Sequence, residues 1–374
     1  MAGIYIHIPF CKQKCNYCNF FSLASSRFTD DFFISLLKEI RLQKNYIGSE
    51  KINTIYFGGG TPSIVKVDNI KKVLDEIQKF YLVDDNPEIT LEANPDDITN
   101  SFLKELRSTS VNRLSLGVQS FFDEDLKYLN RIHQSKQAEE AILRSQDSGF
   151  ENLSIDLIYG IPTLTSENWE QNIDKTVHFG IPHISAYSLT LEPNTILNHL
   201  IKKGKREIID ENKPIAQYEY LLKRMKQENF LHYEISNFCK EGFISKHNSA
   251  YWKGEKYLGL GPSAHSFNQE SRQWNVSNIT EYIERISKSE IPFEIEFLSE
   301  EQKYNEYVLT SLRTMWGCEL NYIKGNFGQL YYDHCIKQAT VFLQAEKMLK
   351  ENNILFLTDY GKFYADGIAS ALFI

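Results

Sequence analysis

Residues 3–18 run Gly3-Ile4-Tyr5-Ile6-His7-Ile8-Pro9-Phe10-Cys11-Lys12-Gln13-Lys14-Cys15-Asn16-Tyr17-Cys18. The first six, rich in Ile and Tyr, make a short strand, and Pro9 stops it. Three cysteines follow at once, spaced C-x3-C-x2-C. Five more β-rich runs recur through the first half: Asn53–Phe57, Glu88–Glu92, Asn112–Gly117, Leu153–Ile158 and His183–Leu189. Between them the periodicity turns helical, at Asp30–Tyr46, Asp68–Phe80, Ser101–Ser108, Lys136–Ser148 and Ser166–Phe179. Strands alternating with helices at this spacing form parallel βα units. Six units curl a sheet into a partial, three-quarter β/α barrel, two units short of closure. The fold class is therefore α/β.

The unusual residues sit just past the strands. They are His7 to Cys18, Gly58-Gly59-Gly60-Thr61-Pro62, Glu92-Ala93-Asn94-Pro95, Gly117-Val118-Gln119-Ser120 and Asp156 to Pro162. In parallel α/β folds the C-terminal strand ends carry the chemistry, so five such ends point to one site.

After Leu191 the character changes. Ile201–Pro214 is lysine-rich and polar, a surface linker, and a helix is expected over Ile215–Glu228. Tyr233–Phe267 is rich in glycine and aromatics with little regular period. Helical runs at Glu300–Met315 and Tyr331–Leu349 precede a strand at Ile354–Leu357, the pattern of a small, mostly helical, winged domain. The expected organisation is a barrel over residues 1–210, a bridging segment over 211–290 and the C-terminal domain over 291–374.

The chain carries 41 basic and 49 acidic residues, a net charge of −8, which excludes a general nucleic-acid binder. No apolar run reaches the roughly 18 residues of a membrane span. The N-terminus lacks the charged start and cleavage site of a signal peptide. The expected location is therefore the cytoplasm, with peripheral membrane association left open.

Of six cysteines, Cys11, Cys15 and Cys18 crowd together while Cys239, Cys318 and Cys335 are scattered. Clustered thiols in a reducing compartment are metal ligands before they are disulfides. Soft thiolates suit zinc or an iron–sulfur cluster. Zinc usually takes four protein ligands, which leaves Cys239 or His7 to supply the fourth. A [4Fe–4S] cluster with three protein ligands keeps one iron open for a chelating small molecule.

The spacing on such a loop resembles the radical S-adenosylmethionine superfamily, whose fold is the partial barrel. The resemblance implies that the open iron of a [4Fe–4S] cluster is chelated by S-adenosylmethionine, from which an adenosyl radical can be released. Gly58-Gly59-Gly60-Thr61-Pro62 fits the superfamily's glycine-rich element, where a missing Cβ lets backbone approach the amino group.

Tyr5-Ile6-His7-Ile8-Pro9-Phe10-Cys11, Ser115 to Ser120, Asn130-Arg131 and Ile155 to Gly160 resemble the oxygen-independent coproporphyrinogen III dehydrogenase group. That likeness implies contacts from Tyr5, Gly59 and Glu92 to a first S-adenosylmethionine. It places Tyr17, Gly60, Thr61, Gln119, Arg131 and Asp156 around a second nucleotide position. Chemically, Glu92 and Asp156 accept from hydroxyl or amino groups, Arg131 forks onto a carboxylate, and Gln119 does both.

Two features depart from the dehydrogenase: Phe20 stands where a fourth cysteine belongs, and the chain opens at its first strand without an N-terminal arm. His247-Asn248-Ser249-Ala250-Tyr251-Trp252 fits the H-N-x-x-Y-W motif of the related HemW proteins, which bind haem and deliver it to haem enzymes. The likeness implies haem as cargo and His247 as its axial ligand, with His265 a second candidate. It implies haem-accepting partners, membrane respiratory enzymes among them, and allows a homodimer. The expected function is a haem chaperone, with or without catalytic turnover. The alternatives are coproporphyrinogen III dehydrogenase activity and radical chemistry on another substrate.

Overall fold

The computed structural model describes residues 2–207, 210 and 212–374. Six parallel strands, β1 (Ala2–Ile8), β2 (Ile52–Gly59), β3 (Val83–Ala93), β4 (Arg113–Gln119), β5 (Asn152–Tyr159) and β6 (His183–Ser188), lie side by side in sequence order. Helices α1 (Thr29–Leu42), α2 (Val67–Phe80), α3 (Asn100–Leu106), α4 (Asp123–Tyr128), α5 (Ser135–Asp147) and α6 (Ser166–His178) connect them. α2 shows why they pack: Ile70, Val73, Leu74 and Ile77 form one apolar stripe, and all are buried. On β1, Ile4, Ile6 and Ile8 are fully buried in the main apolar core, while the alternate residues Tyr5 and His7 face the lumen.

Beyond the barrel come α7 (Ile196–Lys202), α8 (Lys213–Gln227), β7 (Leu231–Glu234), β8 (Asn237–Cys239), α9 (Lys246–Trp252), β9 (Lys256–Leu260), β10 (His265–Phe267), β11 (Ser271–Asn275), α10 (Ile279–Ser287) and β12 (Phe293–Phe297). They extend the sheet at both ends, giving the order β12-β11-β10-β9-β1-β2-β3-β4-β5-β6-β8-β7 among the described residues. β9 runs parallel to β1, with Tyr5 opposite Gly259, whereas β8 is antiparallel to β6. The sequence of Tyr233–Phe267 hid these elements because each is three to seven residues long, too short for a period to show. Of the linker expected over Ile201–Pro214, residues 208, 209 and 211 lie outside the described residues.

The C-terminal part holds α11 (Glu300–Leu312), β13 (Cys318–Glu319), α12 (Leu320–Phe327), α13 (Gln329–Gln344), β14 (Met348–Glu351), β15 (Ile354–Leu357), α14 (Asp359–Lys362) and α15 (Ala365–Ala371). It has its own apolar core, around Tyr304, Leu320, Leu355 and Ile368, and a three-stranded sheet, β13-β15-β14. The expected helix over Tyr331–Leu349 ends early. Glu346 turns left-handed (φ 54°), and Met348 starts a hairpin whose tip, Asn352-Asn353, also has positive φ. Among the described residues, no helix is long and apolar enough to cross a membrane.

Candidate functional site

Cys11, Cys15 and Cys18 lie on the loop leaving β1, and three neighbouring segments strap that loop in place. Cys11 N–H donates to Leu23 O (3.0 Å) and Leu23 N–H to Pro9 O (2.7 Å), which returns the loop onto its own start. Asn16 N–H reaches Leu129 O (3.2 Å), and Leu197 N–H, at the start of α7, reaches Asn16 O (2.8 Å). Lys12 pairs with Asp96 (2.7 Å) and with Asp97. Below the loop, His7 Nε2 bonds Phe21 O (2.8 Å), and burial lowers its pKa to about 4. His7 is thus a neutral prop for the loop.

The glycine run after β2 presses against this loop. Gly60 N–H donates to Ile8 O (2.8 Å) and Thr61 N–H to Phe10 O (2.7 Å). A Cβ on Gly60 would stand 2.6 Å from Phe10 O and 3.0 Å from Cys11 Sγ, and one on Gly59 would meet the His7 ring at 2.6 Å. Gly59 also has φ +111°, a conformation side chains rarely adopt.

A cavity of about 630 Å³ opens here at the C-terminal strand ends. It gathers Cys11, Cys15, Cys18, Tyr17, Gly59, Gly60, Thr61, Glu92, Gln119, Arg131 and Asp156 on one wall system. Gln119 reaches it through a bulge between β4 and β5 and has φ +66°. Such re-aimed residues are frequent beside functional sites. Arg131 NH2 donates to Asn94 Oδ1 (2.6 Å) and Gly117 O (2.8 Å), while NH1 faces Cys15 Sγ at 3.4 Å. Its buried Nε has no hydrogen-bond partner among the described residues. The Tyr56 hydroxyl donates to Glu92 Oε1 (2.8 Å), and Ser115 Oγ to Asp156 Oδ1 (3.3 Å). Burial pushes the Glu92 carboxyl up to about 7 and that of Asp156 to about 6.

Four expected residues lie elsewhere. Tyr5 stands beneath the wall, its hydroxyl 3.2 Å from His7 Nδ1. His247, on α9, is 2% exposed, with Nδ1 bonded to Thr54 Oγ1 (2.8 Å) and Nε2 to the Tyr251 hydroxyl (2.9 Å). Neither nitrogen is offered to an outside ligand. His265 is on β10, stacked with Trp274 (6.0 Å). Cys239 lies opposite His183 at the start of β6, the other end of the barrel from the loop. With His7 committed to Phe21, neither residue is placed as a fourth thiolate-site ligand. The cavity also uses Asn94, Ser115 and Tyr187, to which no sequence motif assigns a role. Asn94 follows β3 and Tyr187 is near the end of β6, whereas Ser115 lies inside β4; nothing local showed which way each side chain points.

An iron–sulfur cluster with S-adenosylmethionine fits these groups. The three thiols share the cavity wall, and Gly60 leaves the space beside Cys11 free of a Cβ. Burial raises the Cys11 and Cys18 pKa, so their thiolates need the positive charge that bound iron supplies. Among the described residues, no three His, Cys, Asp or Glu side chains close on a single ion. Three soft thiol donors on one cavity wall are a set that could hold an iron–sulfur cluster.

A partial βα barrel with this loop and glycine strap defines the radical S-adenosylmethionine class, and the Radical SAM superfamily model matches residues 5–176. The Escherichia coli coproporphyrinogen III oxidase (HemN), a radical SAM enzyme, shares the fold at TM-score 0.85 and 19% identity, over 99% of this chain and 89% of that one. Among curated proteins, the haem chaperone HemW of Bacillus subtilis is 33% identical over 99% of both chains. That of Lactococcus lactis is 33% identical over 96% of this chain and 93% of the relative. The chain belongs to the HemW family.

Proposed function

We propose that this protein binds haem and passes it to haem-dependent proteins, with a [4Fe–4S] cluster on Cys11, Cys15 and Cys18 and S-adenosylmethionine in the cavity. The observation that carries the reading is its end-to-end likeness to relatives named as haem chaperones. The cavity supports the cofactor part. Glu92 and Asp156 offer acceptors for ribose hydroxyls or an amino group, and the orphaned Nε of Arg131 offers a donor for a carboxylate. The cluster's unligated iron supplies the remaining anchor when present.

For the cargo, the cavity rim carries Phe20 (68% exposed) and Tyr187, against which an apolar porphyrin face can lie. Phe20 stands where a fourth thiol would have competed for metal. His247 would have to break both its hydrogen bonds to reach haem iron.

Anaerobic reconstitution with iron and sulfide, followed by haem titration of the same sample, tests this. The expected result is a thiolate–iron absorption band and a saturable Soret change. No saturable Soret change overturns the chaperone reading. Decarboxylation of coproporphyrinogen at turnover rates, with reductant and S-adenosylmethionine, would replace it by the dehydrogenase activity.

A further inference from the structure

The H-N-x-x-Y-W segment lies on α9, and α9 closes the lumen at the strand end opposite the cavity. The Glu88 carboxylate, from β3, accepts from Lys246 N–H (3.1 Å) and His247 N–H (3.0 Å), which pins the first turn of the helix inside the barrel. Ser245 caps the same turn through Asn248 N–H (3.3 Å). The His247 side chain then enters the lumen. Thr54 holds one nitrogen and Tyr251 the other. Gly3 leaves room for this: a Cβ there would stand 2.8 Å from Thr54 Oγ1 and 3.3 Å from His247 Nδ1.

The imidazole lies flat under the Tyr56 ring, with centroids 4.8 Å apart and planes 22° apart. Tyr56 in turn stacks on Tyr5 (6.1 Å, 27°). At its far end the Tyr56 hydroxyl donates to Glu92 Oε1, and Glu92 is on the cavity wall. A continuous column therefore runs from Thr54 and Tyr251 through His247 and Tyr56 to Glu92. The space around Glu92 leaves little freedom, since a Cβ on Gly58 would lie within 3.1 Å of Tyr5, Tyr56 and Glu92 Oε1 at once.

We propose that His247 is a positioning residue for the nucleotide site: its clamped ring is the seat that fixes Tyr56, and Tyr56 fixes the Glu92 carboxylate toward the cavity. The inference rests on the reading of that cavity as an S-adenosylmethionine site. It assigns the motif histidine to the barrel floor instead of to haem iron. The other face of α9 looks outward, where Trp252 lies under the Arg313 guanidinium (5.5 Å) of the C-terminal part.

The test uses the full chain, reconstituted anaerobically, in four forms: wild type, His247→Gln, Tyr56→Phe and the double variant. Gln keeps polar groups for Thr54 and Tyr251 but removes the aromatic seat, so the fold is retained, and urea midpoints verify this. Each sample is titrated with radiolabelled S-adenosylmethionine and, separately, with haem. Losing one hydrogen bond to a buried carboxylate weakens binding by about tenfold, so Tyr56→Phe is expected to lose about that much S-adenosylmethionine affinity. His247→Gln loses several-fold, and the double variant is no weaker than Tyr56→Phe alone, because both act through one hydroxyl. The Soret maximum and haem midpoint stay at wild-type values in His247→Gln.

If His247→Gln binds S-adenosylmethionine as wild type does, or if the two losses multiply, the positioning role is overturned. A shifted Soret band with nucleotide affinity intact overturns it too and makes His247 a haem ligand. Should wild type itself take up no S-adenosylmethionine, the assignment of the cavity falls and takes this inference with it.

Discussion

Replacing Gly59 by alanine puts a methyl group where β2 turns off beneath the cysteine loop. Two costs arise. Gly59 has φ +111°, and an L side chain in left-handed backbone costs about 1–2 kcal/mol. The new Cβ would also stand 2.6–2.9 Å from three atoms of the His7 ring, and forcing an extra carbon into a packed site costs about 1–3 kcal/mol. His7 cannot yield freely, because Nε2 holds Phe21 O and Nδ1 meets the Tyr5 hydroxyl. The expected destabilisation is therefore about 2–5 kcal/mol, a large share of the roughly 5–15 kcal/mol that holds a domain folded. Gly48→Ala is the control. Gly48 is exposed with φ +66°, and a methyl added there meets nothing within 4 Å, so it reports the backbone cost alone, about 1 kcal/mol. Urea unfolding of both variants gives the difference, and iron uptake on anaerobic reconstitution reports whether the loop has moved. Equal urea midpoints for the two variants would refute the claim that His7 is a fixed prop.

Three further outcomes are expected. Burial raises the Glu92 carboxyl from 4.5 to about 7, so the folded apo-protein holds a proton that the unfolded chain releases first; that stability, about 3 kcal/mol, is full below pH 4.5 and lost as pH rises through 7. Glu92→Gln removes this dependence, and the test is the difference between the two unfolding-versus-pH curves, where parallel curves would reject a buried, proton-holding Glu92. Glu39, fully buried, accepts from the Tyr282 hydroxyl (2.7 Å), Gly261 N–H (2.8 Å) and Asn275 Nδ2 (2.6 Å); Glu39→Gln sets an NH2 against one of these donors and is expected to cost about 2 kcal/mol by urea unfolding. Phe20→Ser removes an exposed ring, so stability stays within about 0.5 kcal/mol and iron content is unchanged, while the haem Soret response weakens; an unaltered haem titration would remove the rim from the cargo site.

Local pattern was enough to read the barrel. β1 through β6 fall within a few residues of the runs read from periodicity, apart from β3, which starts at Val83 where Glu88 was expected. A strand whose sides face a helix layer and a lumen carries its alternation in its own residues. The cysteine loop, the glycine strap and the polar strand ends were legible for the same reason: strand-end position in a parallel sheet already implies convergence. The C-terminal hairpin was half legible. Asn352-Asn353 marks a turn, but α13 has no local stop signal as strong as glycine, and pairing with β15 decided where it ended.

What the chain's own sequence determined, then, was the order of βα units and the thiol spacing, because both depend on residues near each other along the chain. Only tertiary structure decided which way His247 faces and what it touches: Thr54, Tyr56 and Glu88 lie more than 150 positions away, and the motif's letters are the same for a haem ligand or a barrel floor. The parallel pairing of β9 with β1 and the remoteness of Cys239 from the other thiols were settled in the same way. Burial and pairing across the sheet are long-range quantities that no window of sequence contains.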